Sequence, residues 1–187
     1  MSSAVLAIFR YLLFATSFIQ PEVARDQLTL SQIVNSGNID PKTLSISIDK
    51  SDYQLAILSG EKAIKTYPVV FGGNPTDDKL MQGDQCTPEG NFKIRGFYPH
   101  AKWSKFIWID YPNDQSWSKH NEARQNGKIP ENAKIGGEIG IHGVPEGYDY
   151  AIERKMNWTL GCISMTNEDV NEIYPYVFEG MTVQISK

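Results

Sequence analysis

Asn157-Trp158-Thr159-Leu160-Gly161-Cys162-Ile163-Ser164-Met165-Thr166-Asn167 is the segment from which the rest of the chain can be read. A glycine directly before a cysteine lets main chain approach a ligand closely. Just downstream, Val170, Ile173, Tyr174 and Val177 recur at helical spacing, with Thr166 as N-cap and Asp169 in the capping-box position. Pro175 should end that helix early. The thiol of Cys162 therefore reads as lying near a helix N-terminus, where the dipole and free N–H groups favour thiolate and can hold an oxyanion. The plain alternative is a buried structural cysteine.

A cysteine nucleophile needs a base, and the chain has three histidines. His100 and His120 stand in polar loop contexts. His142 ends an apolar run and precedes Gly143, so it reads as pointing from a rigid strand into a cleft. The intervening residues 144–158 are long enough to join two neighbouring strands, which would set imidazole beside thiol. A hydrogen-bonded core histidine is the competing reading. Zinc-finger ligand spacing, a G-x-S-x-G elbow and a Walker loop are all missing from the sequence, so no metal and no cofactor are expected.

Upstream, the pattern is β. Leu44, Ile46 and Ile48 alternate with Ser45, Ser47 and Asp49, and further strands are expected at 53–58, 63–71, 91–97, 106–111, 138–142 and 181–185. Residues 72–90 and 113–137 read as long polar loops, the second functional or partly helical. The fold class expected is mainly β, bordering on α+β, with one clear short helix after Cys162. Residues 26–41 read as a connector with at most one short helix.

Residues 1–24 differ from the rest. Val5 through Ile19 is apolar apart from Arg10 and a few small polar residues, too short for a comfortable bilayer span. A signal sequence fits, with Arg10 closing its n-region and Ala24 at the cleavage point, and an N-terminal anchor is the alternative. The expected layout is a leader over 1–24, a connector over 25–42 and a catalytic domain over 43–187. The net charge of −4 at 187 residues argues against a general nucleic-acid binder. Two cysteines are too few for a disulfide framework; Cys86 reads as a plain loop thiol, with a regulatory bridge to Cys162 as the rival.

Taken together, Ile141-His142-Gly143 followed by the segment 157–167 resembles the catalytic signature of the L,D-transpeptidase (YkuD-type) family. A second block agrees: Gly83-Asp84-Gln85-Cys86-Thr87-Pro88-Glu89-Gly90-Asn91-Phe92 is similar to that family's G-D-x-x-T-P-E-G-x-[FY] stretch. Ile48-Asp49-Lys50-Ser51, Asp110-Tyr111-Pro112-Asn113 and Gly136-Gly137-Glu138-Ile139 fit as well. The resemblance runs over residues 43–187.

It implies a mixed β-sandwich catalytic domain acting on peptidoglycan stem peptides in the periplasm, with membrane contact only through the leader. Cys162 would attack the carbonyl of the third residue of a stem tetrapeptide, expel D-alanine and hold an acyl thioester until an amine resolves it. His142 would be proton donor and acceptor, the Gly143 carbonyl would orient the imidazole, and the amides of Gly161 and Cys162 would hold the oxyanion. Thr159, Ser164 and Asn167 would be substrate-binding. Two departures stand out. Leu160 occupies a position where many members carry histidine, and Ser164 one where many carry arginine. The W-T-x-G-C-I form looks closest to a periplasmic branch that includes an enzyme releasing a lipoprotein from peptidoglycan. Hydrolysis by water is thus a rival to transfer, with a wall-linked lipoprotein as a further partner. A non-catalytic wall-binding protein is the reading of another class.

Overall fold

The computed structural model of the protein describes residues 28–187; the expected leader over 1–24 lies outside them. The alternation at Leu44, Ile46 and Ile48 becomes β1 (Leu44–Asp49), which buries those three side chains on one face. β1 pairs antiparallel with β2 (Gln54–Ser59), and β2 turns through Gly60 into β3 (Lys62–Pro68). β4 (Gly90–His100) and β5 (Ser104–Ile109) form a second antiparallel pair. β6 (Gly140–His142) and β7 (Ile163–Ser164) are short, and β8 (Thr182–Ser186) closes the chain.

The eight strands of the described residues join one sheet in the order β3-β2-β1-β8-β4-β5-β6-β7, with β1–β8 and β6–β7 parallel and the other pairs antiparallel. The sandwich-like layering comes from one sheet curling on itself. β4 is the corner. Its residues Gly90–Lys93 pair with β8, its later residues pair with β5, and a register shift between Ile94 and Gly96 lets the strand bend. Ile46, Ile48 and Val183 from one half thereby meet Ile107, Ile109, Ile141 and Ile163 from the other in a single core.

Among the described residues, four α-helices decorate the sheet. α1 (Leu30–Ser36) is set by a reciprocal capping box between Thr29 and Gln32 and buries Leu30, Ile33 and Val34 in the same core as β1 and β3. The segment read as a connector is therefore packed onto the domain. α2 (Asp114–Gln125), α3 (Tyr150–Glu153) and α4 (Asn167–Ile173) follow. Thr166 caps α4 by accepting from the Asp169 amide, and the helix gives way to a 3-10 turn at Tyr174–Tyr176, where Pro175 stands.

Beyond the one clear helix expected after Cys162, α2 occupies the segment 113–137 that reads as functional or partly helical. Nearly all of α2 is polar, with Ser116, His120 and Ala123 as its buried residues. Apolar periodicity could not reveal it. The Asn113 side chain, accepting from the Ser116 amide, starts it. Among the described residues, no helix is long and apolar enough to cross a membrane.

Candidate active site

β6 and β7 run in parallel with Ile141 opposite Ile163 and His142 opposite Ser164. This register carries Cys162, one residue before β7, to the same end of the sheet as His142. Both line a cleft of about 590 Å³ together with Lys79, Gln85, Trp103, Glu138, Trp158 and Leu160.

His142 is 1% exposed. Its Nδ1 lies 2.6 Å from the Gly143 carbonyl oxygen. A carbonyl only accepts, so Nδ1 carries the proton and donates, which leaves Nε2 as the ring's lone-pair nitrogen. Burial pushes the imidazole down to about 4, against a smaller opposing effect of the Gly143 bond, with His100 adding slightly to the fall. The ring is a neutral base at pH 7.

Cys162 is half-buried, and its sulfur packs on the main chain of 138–140. The thiol donates to the Glu138 carbonyl at 3.4 Å. Burial raises it to about 11, outweighing the Gly140 amide and Lys79, which pull it down. This overturns the expectation of a helix-stabilised thiolate. Helix α4 begins only at Asn167, and β7 lies between it and the thiol. At rest the pair is neutral thiol and neutral imidazole, so deprotonation has to accompany attack.

The residues flanking the pair mostly act on main chain. Thr159 is 6% exposed; its hydroxyl donates to the Cys162 carbonyl at 2.7 Å and accepts from the Gly161 amide at 3.1 Å. That engagement corrects the expectation of a free Gly161 N–H. Among the described residues the Cys162 amide has no acceptor, which leaves its N–H available to a ligand. Gly161 is required where it stands, at φ +139°, since a Cβ would come within 2.7 Å of the Cys86 carbonyl oxygen.

Ser164 is corrected as a substrate contact, and half-buried Asn167 is engaged with main chain through its Oδ1. Ser164 is fully buried, and its hydroxyl donates to the Gly143 carbonyl at 3.3 Å. Asn167 Oδ1 accepts from the Val144 amide at 3.1 Å. Both side chains therefore converge on the segment after His142. A Cβ on Gly143 would stand 2.1 Å from Asn167 Oδ1 and 2.6 Å from the Trp103 carbonyl, so only glycine fits.

The cleft's other wall is the loop before β4. Burial alone would raise the Asp84 carboxyl, but Lys79 and the amides of Met81, Cys86 and Leu80 outweigh it and hold it below the ordinary carboxylate range. Lys79 pairs with it at 2.7 Å. Lys50 ties the same loop down by bonding to Glu89 and to the carbonyls of Asp77 and Thr87. Cys86 and Cys162 are both free thiols, and Cys86 is buried beneath the loop. His120 is buried against the Leu80 carbonyl, and His100 stands behind Trp103. No group of three or more His, Cys, Asp or Glu among the described residues is placed to hold a metal ion. Lys79, Trp103 and Glu138 escaped the sequence reading as cleft residues. Only Glu138, inside the Gly136-Gly137-Glu138-Ile139 block, carried a signal.

The sequence model of the L,D-transpeptidase catalytic domain, YkuD, matches residues 44–185. The chain belongs to this family. YkuD-type domains are enzymes of peptidoglycan metabolism that act on stem peptides. Among solved structures, the domain is similar to the helical cell shape determining protein Pgp2 of Campylobacter jejuni, with a TM-score of 0.58 and 19% identity over 78% of this chain and 48% of that one. It is also similar to Bd1075 of Bdellovibrio bacteriovorus, with 0.54 and 20% over 77% and 48%. An L,D-transpeptidase from Mycobacterium smegmatis gives 0.51 and 11% over 78% and 59%. At these identities the likeness is one of fold, and this chain spans about half to three-fifths of those proteins' lengths. A search of curated proteins found no match.

Proposed function

We propose that this YkuD domain is a peptidoglycan L,D-transpeptidase working through a thioester on Cys162. The observation that carries the reading is the tautomer of His142: with Nδ1 committed to Gly143, Nε2 is the basic nitrogen in a cleft shared with the thiol. Nε2 takes the proton from Sγ as sulfur attacks the carbonyl of the third residue of a stem tetrapeptide. The Cys162 amide holds the oxyanion. As the tetrahedral intermediate collapses, the C–N bond breaks and His142 returns the proton to the departing D-alanine amine. An acceptor amine then gives a proton to His142 and attacks the thioester, and the released sulfur recovers that proton. Each cycle exchanges one amide for another with no external oxidant or reductant.

A specific observation favours hydrolysis as the second reading. Leu160 is 78% exposed at the lip of the cleft, and it offers no hydrogen bond to an incoming stem peptide there. Ser164, being buried, supplies no charge in the cleft either. An acceptor that is loosely held loses its advantage in effective concentration over water. In this reading the products are a shortened stem or a lipoprotein freed from the wall. Both readings place the protein in the periplasm, exported by residues 1–24.

Incubation of purified protein with muropeptides, followed by mass analysis, tests the proposal. Crosslinked or amine-exchanged stems that require Cys162 are expected. Tripeptide alone would convert the assignment to a hydrolase. Wall binding without any turnover would leave a non-catalytic binding protein.

A further inference from the structure

We infer that Trp103 is a positioning residue for the His142 imidazole, and that the β4–β5 turn exists in its present form to seat it. The inference rests on the reading of His142 as the general base.

The Trp103 indole stacks on the His142 ring with centroids 4.4 Å apart and planes 23° apart. On the opposite side, the His100 ring stacks on the same indole at 4.5 Å and 12°. Phe106, directly across the ladder from His142, lies nearly parallel to the imidazole at 5.7 Å and 10°, and Trp158 meets it edge-on at 5.6 Å. The imidazole is thus confined by three aromatic side chains, and Trp103 makes the nearest of these contacts.

Trp103 acts through its main chain as well. Its carbonyl accepts from the Gly143 amide at 3.1 Å. Gly143 is the residue whose own carbonyl holds Nδ1 of His142. One residue therefore fixes both the plane of the ring and the acceptor that sets its tautomer. The turn that presents Trp103 is itself held. His100 Nδ1 accepts from the amides of Lys102 and Trp103, each at 3.2 Å. Ser104 takes a left-handed conformation at φ +59° and donates from its hydroxyl to Asn171 on α4 at 2.9 Å. Such a conformation in a residue other than glycine persists only where surroundings impose it. His100, set aside as a base by its place behind the indole, thus gains a role in building the turn.

The stack also excludes water from the imidazole, and burial is the main reason that the ring stays neutral. The titratable groups facing His142 are His100 behind Trp103, Cys162 beside it, and Lys79 and Glu138 across the cleft. All of these remain when Trp103 is replaced, so a change in titration can be assigned to the indole.

The test is the Trp103→Ala variant in the full chain, read by nitrogen-detected NMR of the His142 ring and by the pH dependence of turnover on a stem tetrapeptide. The expected result is a rise of the His142 titration from about 4 towards the ordinary 6.5, with mixed tautomers at neutral pH. The acid limb of the rate profile should rise with it, and kcat/KM should drop about tenfold to a hundredfold, the scale of a roughly 1 Å misplacement of a reacting group. Trp103→Phe, which keeps a stacked ring, should recover most of each change. If Trp103→Ala does not fold, His100→Ala should show the same shifts in weaker form. An unchanged His142 tautomer and titration in the folded variant overturns the inference, even if activity falls. The NMR readout stands without turnover, so a wild-type protein inactive on every stem peptide would defeat the functional reading and leave this one testable.

Discussion

Lowering the pH from 7 to 4 should destabilise the protein through His142 in a way that a single substitution can isolate. In the unfolded chain this histidine binds a proton near pH 6.5, and in the folded domain burial delays that to about 4. Between those values the unfolded state holds more protons, so stability falls as pH falls. The effect begins near 6.5 and is complete below about 4. At about 1.4 kcal/mol per pH unit of difference, it amounts to about 3 kcal/mol. Carboxylates such as Asp84, held low in the folded state, also cost stability in acid, but they do so equally in a variant. The comparison is therefore between wild type and His142→Gln, each melted in urea at pH 7 and pH 4. Wild type should lose about 3 kcal/mol more than the variant, a difference of about 1–3 M in midpoint at typical urea slopes. Equal losses would refute the claim that His142 is buried and neutral.

Gly143→Ala should lower activity by at least about a hundredfold and destabilise the domain, because its Cβ meets Asn167 Oδ1 and the Trp103 carbonyl; turnover and a thermal melt check both, and a variant that melts like wild type contradicts the crowding. Thr159→Val removes the hydroxyl that joins Gly161 to the Cys162 carbonyl, and a loss of about 1–3 kcal/mol is expected in chemical denaturation, with slower acylation. Leu160→His should raise the ratio of crosslinked to hydrolysed product when donor tetrapeptide is offered with increasing acceptor amine. Ser164→Arg should instead unfold or cripple the protein, since the position is fully buried.

The strands were legible because their signal is local. In β1 every second residue is apolar, and the structure buries exactly that face, Leu44, Ile46 and Ile48. For the Cys–His neighbourhood the residues alone left a structural cysteine and a core histidine open, and it is the parallel β6–β7 pairing that carries His142 and Cys162 to one end of the sheet. Side-chain direction was not legible. Ser164 pairs across from His142 and turns inward to Gly143, and that depends on register, which no window of sequence reports. Nor could the sequence show that Asn167 and Thr159, expected as substrate contacts, also bond main-chain groups of the site, with Thr159 lining the cleft as well. Trp103 was invisible because its contact with His142 links the β4–β5 turn to β6, a pairing fixed by the sheet order. α2 was legible only as partial helicity within a long polar segment, because its polar surface leaves no apolar stripe to read.

The central claim is that Cys162 carries the acyl group, and trapping the protein with a donor stem tetrapeptide or an acylating β-lactam tests it most directly. Digestion and mass spectrometry should place a single adduct on the peptide containing Cys162. None should appear on Cys86, whose thiol is buried within its loop and does not line the cleft that Cys162 shares with His142. Cys162→Ala should abolish the adduct. An adduct on Cys86, or undiminished turnover in Cys162→Ala, would contradict the account.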